Sequence, residues 1–99
     1  MPLDILLAQK IYAIFKRKRA IGRDFYDTAF LSGKAKPNLE YLKSKFNIKD
    51  MVTLKQKLLS KCKGLNFKQL AREVEPFLFN PGDSKKVLYF HDYIRGLNL

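Results

Sequence analysis

Ninety-nine residues, 46% hydrophobic and 29% charged, make one folded domain of residues 1–99 with a modest core. Twenty basic residues against nine acidic ones leave a formal charge of +11, spread along the chain. A field of that sign favours a polyanion, nucleic acid or nucleotide phosphates, and the alternative is a basic surface that serves solubility alone. The single cysteine, Cys62, excludes an intrachain disulfide and a cysteine-rich zinc site, and the single histidine, His91, argues against a histidine metal cluster. No apolar run approaches the length of a membrane span, and Asp4 and Lys10 interrupt the N-terminal one, so a cytoplasmic protein without a membrane partner is expected.

Pro2 suits a helix start, and Leu3, Leu7, Ile11, Ile14 and Phe15 then recur at helical spacing over about 3–18. Lys16, Arg17, Lys18 and Arg19 complete that helix where cations favour its dipole, and Gly22 closes the turn. A second helix over about 23–32 is expected to bury Tyr26, Ala29 and Phe30, with Phe25 on a flank, before Ser32-Gly33 ends it. After the loop GKAKP, Leu39, Leu42 and Phe46 mark a third helix over 38–46. Asp50 caps a fourth over 51–63 whose far face is lysine-rich, and Gly64 stops it.

Asn66 caps a fifth helix carrying Phe67, Leu70, Ala71 and Val74, and Pro76 ends it. PFLF reads as an apolar anchor for the loop NPGD. Ser84 caps a last helix over about 85–96, with Val87, Leu88, Phe90, Tyr93, Ile94 and Leu97 on its broad apolar face and His91 packed beside it. The aromatic residues fall mostly at core spacing, with Tyr12, Tyr41 and Tyr89 placed to show a ring edge. With no strand-like alternation, the expected fold is all-α, a compact bundle of five to six short helices opening with a helical hairpin.

One lysine breaks the pattern. Lys10 lies three residues after Leu7 and four before Ile14, inside the apolar stripe, where a charged amine needs an acid or an anionic ligand. Asp24 and Asp27, three apart on the next helix, share a face, and the short turn KRAIG sets the two helices side by side. Lys10 with Asp24 and Asp27 is thus either an ion pair that locks the hairpin or a lysine–carboxylate site. Lys16, Arg17, Lys18, Arg19 and Arg23 form a basic cluster that can take phosphate backbone or simply solvate a helix end.

Over residues 3–31 the helix with LLAQK and YAI, the short basic turn, and RDFYD followed by Phe30-Leu31 resemble the C-terminal part of the AbiEii/AbiGii-type nucleotidyltransferase toxins of bacterial abortive-infection and toxin–antitoxin systems. The resemblance implies that Lys10 corresponds to the family's active-site lysine, and Arg23, Asp24 and Asp27 to its RDxxD stretch, leaving open which aspartate acts. In such an enzyme these residues complement a Gly-Ser…DxD motif on an N-terminal domain that holds magnesium and a nucleoside triphosphate. The lysine would neutralise phosphate charge, while the acid orients it or activates the attacking hydroxyl.

This chain carries no Gly-Ser with a downstream DxD. The resemblance therefore implies a C-terminal domain or truncated form, inactive and without cofactor by itself, retaining affinity for nucleotide or nucleic acid, plausibly tRNA. Two other readings stay open: a small basic helical nucleic-acid-binding module unrelated to transfer chemistry, and a protein-interaction module that docks a cognate antitoxin or forms a homodimer.

Overall fold

A computed structural model describes residues 2–95. Among the described residues there are seven α-helices: α1 (Leu3–Lys16), α2 (Gly22–Ser32), α3 (Leu39–Phe46), α4 (Met51–Cys62), α5 (Phe67–Val74), α6 (Lys85–Leu88) and α7 (Phe90–Arg95). Two 3-10 turns, Glu75–Phe77 and Pro81–Ser84, join α5 to α6. The all-helical bundle opening with a hairpin is as the periodicity predicts, with the last expected helix divided into two, α6 and α7. None of these helices is long and apolar enough to cross a membrane.

The caps follow from local chemistry. The side-chain oxygens of Asn38, Asp50 and Asn66 accept hydrogen bonds from the backbone N–H groups of Tyr41, Thr53 and Gln69, satisfying donors that the first helical turn leaves open. Asn38 also donates from Nδ2 to Asp4 Oδ2 at 2.9 Å, tying the start of α3 to the start of α1. Asn47 (φ 57°) and Gly64 (φ 85°) end α3 and α4 in the left-handed region, where asparagine and glycine cost least.

α2 is the hub. It packs on α1 on one side and on α5, α6 and α7 on the others, while α3 lies on α1 and α4 on α7. One buried cluster draws on all seven helices, through Leu7, Ile11 and Ile14 of α1, Phe25 and Leu31 of α2, Leu42, Leu54, Leu58, Leu70, Val74, Val87, Phe90 and Ile94. At its centre the Phe25 ring meets Phe67 and Phe90 edge-on, at 5.2 and 4.9 Å.

The buried face of α2 is turned from the expected one: Tyr26 and Ala29 pack against the core but stay partly exposed. Phe25 is 1% exposed and Phe30 44% exposed, and the inward residues are Asp24, Phe25, Thr28 and Leu31. Two polar residues sit on that face because each finds a partner inside. Asp24 pairs with Arg17, and Thr28 Oγ1 donates to the Asp24 carbonyl at 2.7 Å.

Gly22 also has another role than closing a turn: it is the first residue of α2, buried against α5, where an added Cβ would sit 2.2 Å from the Leu70 carbonyl oxygen. Further on, PFLF anchors its loop through one residue only. Phe77 and Phe79 are exposed, and only Leu78 packs against the core.

The last helix is broken. Tyr89 (φ −103°, ψ 29°) separates α6 from α7, and Ser84 makes no side-chain cap, while Asn80 caps the preceding 3-10 turn through Gly82 N–H. Val87, Phe90 and Ile94 still reach the core, and Leu88 stays largely outside. His91 packs edge-on to Phe67 at 4.9 Å, in line with a packed histidine. Leu97 and the expected helix end at 96 lie outside the described residues.

Cys62 closes α4 with its thiol buried, and burial pushes its pKa up to about 12. The unfolded thiol ionises near 9, so the protein loses stability as pH rises from there toward 12, the unfolded state releasing the proton first. Native protein at pH 8 is therefore expected to resist a thiol-labelling disulfide reagent and to react fully once denatured in urea. Rapid stoichiometric labelling without denaturant would show that the α4–α7 packing is wrong.

Candidate functional site

The hairpin brings the predicted cations and acids together, but it pairs them selectively. Lys10 Nζ lies 3.1 Å from Asp27 Oδ2, with side chains 34% and 19% exposed. The lysine stands at the edge of the apolar stripe, not within it, so water reaches its amine while the stem lies on the hairpin. Asp24 does not face Lys10. Its carboxylate, buried in the α1/α2 joint, accepts from Arg17 Nε at 2.5 Å, and Arg17 follows directly after α1.

The two aspartates of RDFYD therefore have different surroundings. Asp24 is enclosed and held by one guanidinium. Asp27 is half-buried between two cations, Lys10 on α1 and Arg23 one turn back on α2, with Arg23 Nε at 3.7 Å. Tyr26 stands beside it, its phenol held above the ordinary range by burial first and by the Asp83 and Asp27 carboxylates next. Asp83 comes from the turn before α6; its place at this site is set by the bundle, and no local spacing announces it.

The rest of the basic cluster spreads over the bundle. Arg19 meets Glu73 of α5 at 3.8 Å, Lys16 lies over the Tyr12 ring, and Lys18 is exposed. The Arg17 carbonyl accepts from Lys61 Nζ of α4 at 3.3 Å, a tether that the sequence did not signal. Beside Arg23 a pocket of 370 Å³ opens between α2 and α5, lined by Ile21, Gly22, Arg23, Glu73, Val74 and Phe77.

Chemically, an exposed cation pair around one carboxylate is a place where a phosphate can replace the carboxylate as counter-ion. A magnesium site is a poor fit for these residues. Asp24 is turned onto Arg17 and Asp27 onto Lys10, so the two carboxylates do not converge on a common point, and no group of three metal-ligating side chains occurs among the described residues.

No family model, curated protein or solved structure matches this chain.

Proposed function

We propose that this chain is the helical C-terminal domain of a nucleotidyltransferase-like toxin, in which Lys10 and Arg23 receive nucleotide phosphates and Asp27 is the acid of the site. The observation that carries the reading is the Lys10–Asp27 pair at 3.1 Å, accessible on the face of the hairpin, with Arg23 at 3.7 Å from the same oxygen. Asp24 serves as a positioning residue that fixes the end of α1 against α2 through Arg17. In the complete enzyme an N-terminal domain would supply the magnesium-binding carboxylates, and a nucleic acid such as tRNA would be the acceptor. The isolated chain binds phosphate without catalysing transfer.

Partial exposure leaves the pair accessible to a phosphate, which supports the reading. A pair open to water contributes about 0–1 kcal/mol, so Lys10→Ala is expected to leave the urea midpoint nearly unchanged. The same substitution is expected to weaken nucleoside triphosphate binding about tenfold at low ionic strength, with the wild-type affinity itself falling as salt rises. Isothermal titration with ATP and GTP at two salt concentrations measures both. Absence of binding at low salt, or equal binding by wild type and Lys10→Ala, would remove the nucleotide site.

A further inference from the structure

The arginines and the lysines of this protein are used differently. Among the described residues, four of the five arginines, Arg17, Arg19, Arg23 and Arg95, stand in an ion pair, whereas Lys10 is the one lysine that does. Residues 43–63, which cover the end of α3 and all of α4, hold seven lysines against one acid, Asp50. That acid accepts from Thr53 N–H as a helix cap. This stretch therefore holds a concentrated positive field, seven lysines against a single carboxylate.

The field adjoins a group of half-buried rings. Phe15 of α1 stacks on Phe46 of α3 at 4.6 Å, and Tyr12 meets Tyr41 and Phe46 edge-on at 6.5 and 6.0 Å. Two ammonium groups stand over these rings: Lys16 Nζ is 5.8 Å from the Tyr12 centroid, and Lys57 Nζ is 5.4 Å from that of Phe46. Lys61 reaches from α4 to the Arg17 carbonyl and extends the same surface to the end of α1. Tyr12 is two residues from Lys10, about 200° around the helix, so this surface lies on the other side of α1 from the Lys10–Asp27 pair.

We infer that the α1/α3/α4 face is a binding surface for single-stranded nucleic acid. Lysines over partly exposed rings are a loosely held arrangement: the amines can swing to backbone phosphates while a base takes their place against Tyr12 or Tyr41. Duplex would offer the phosphates but not the unstacked bases, and so would use only the lysines. A membrane surface is disfavoured because the exposed apolar side chains of α4 are only Val52 and Leu59, too few to insert. The inference goes beyond the nucleotide reading and does not depend on it.

The test uses a fluorescein-labelled twelve-residue oligouridylate and the matching oligothymidylate, followed by anisotropy between 50 and 300 mM salt, with a blunt duplex of equal charge and anionic phosphatidylserine vesicles as competitors. Both single strands are expected to bind with steep salt dependence, to quench the tyrosine fluorescence, and to resist competition by duplex and vesicles. Lys16→Gln/Lys57→Gln/Lys61→Gln is expected to weaken binding at least tenfold and to flatten the salt slope by about two, near 0.7 for each phosphate that is no longer neutralised. Tyr12→Leu is expected to weaken it up to tenfold without changing the slope.

Lys10→Ala, which disables the proposed nucleotide site, is expected to bind the strands as wild type does, so either reading can fail alone. Binding that survives the triple substitution, that duplex or vesicles displace equally well, or that never rises at 50 mM salt overturns the inference. Circular dichroism on each variant confirms the helical fold, and a triple variant that unfolds is replaced by the three single lysine changes, each expected to lower the slope by about 0.7.

Discussion

Phe25→Ala is expected to lower the stability of the protein by about 3–5 kcal/mol, the cost of opening a cavity where a large aromatic ring was enclosed. The ring is 1% exposed and its edge-on contacts with Phe67 and Phe90 join α2 to α5 and α7. A domain of this size has roughly 5–15 kcal/mol in total, so the variant should sit near the limit of folding at 37 °C. Urea denaturation followed by circular dichroism measures the change. Phe30→Ala, five residues on, is the control: with that ring 44% exposed, its loss is expected to cost no more than about 1 kcal/mol. Equal losses at the two positions would mean that α2 is rotated about its axis. Asp24 and Asp27 would then be misplaced with it, and the assignment of Asp27 to Lys10 would fail.

Gly22→Ala is the second large effect. An alanine Cβ at this position would stand 2.2 Å from the Leu70 carbonyl oxygen and 3.1 Å from its carbon, both backbone atoms that no rotamer change can move aside. The first turn of α2 must then lift off α5, at a cost of roughly 3 kcal/mol or more, the upper range for inserting a methyl group into a packed contact. Gly33→Ala provides the comparison. Its backbone is right-handed helical (φ −71°) and the nearest atom to a new Cβ is at 3.5 Å, so alanine is expected to be neutral or stabilising by about 0.5 kcal/mol. Thermal and urea unfolding of the two variants side by side would decide it, and a Gly22→Ala protein as stable as Gly33→Ala would show that α2 and α5 do not approach so closely. The site is coupled to this contact. Arg23 and Asp24 follow Gly22 directly, so a displaced first turn also disturbs Arg23–Asp27 and Arg17–Asp24.

The difference between the expected and observed faces of α2 has a simple physical origin. Tyr26, Ala29 and Phe30 are an uninterrupted apolar stripe, whereas the stripe that goes inside contains Asp24 and Thr28. Judged residue by residue, the first is the cheaper to bury. The second becomes acceptable only when Arg17, seven residues away, reaches the Asp24 carboxylate and the Thr28 hydroxyl turns onto the Asp24 carbonyl. The same logic separates the two aspartates of RDFYD. Spacing puts both on one side of α2, but the angle and offset of α1 give Arg17 to the first and Lys10 to the second.

Local chemistry by itself determined the helical class, the course of the first five helices to within two residues, the caps at Asp50 and Asn66, and the closeness of Lys10 to the acids of the next helix. Each depends on near neighbours in the chain: a 3.6-residue period, an oxygen placed three residues before an open N–H, a turn too short to separate two helices. Only the tertiary structure decided which aspartate meets Lys10, that Phe25 and not Phe30 is enclosed, that Phe77 and Phe79 stay in solvent, and that Tyr12 and Phe46 come together, beside Tyr41, beneath lysines of α1 and α4. Those outcomes compare alternatives of similar local cost, and the balance among them is set by partners that come from other helices.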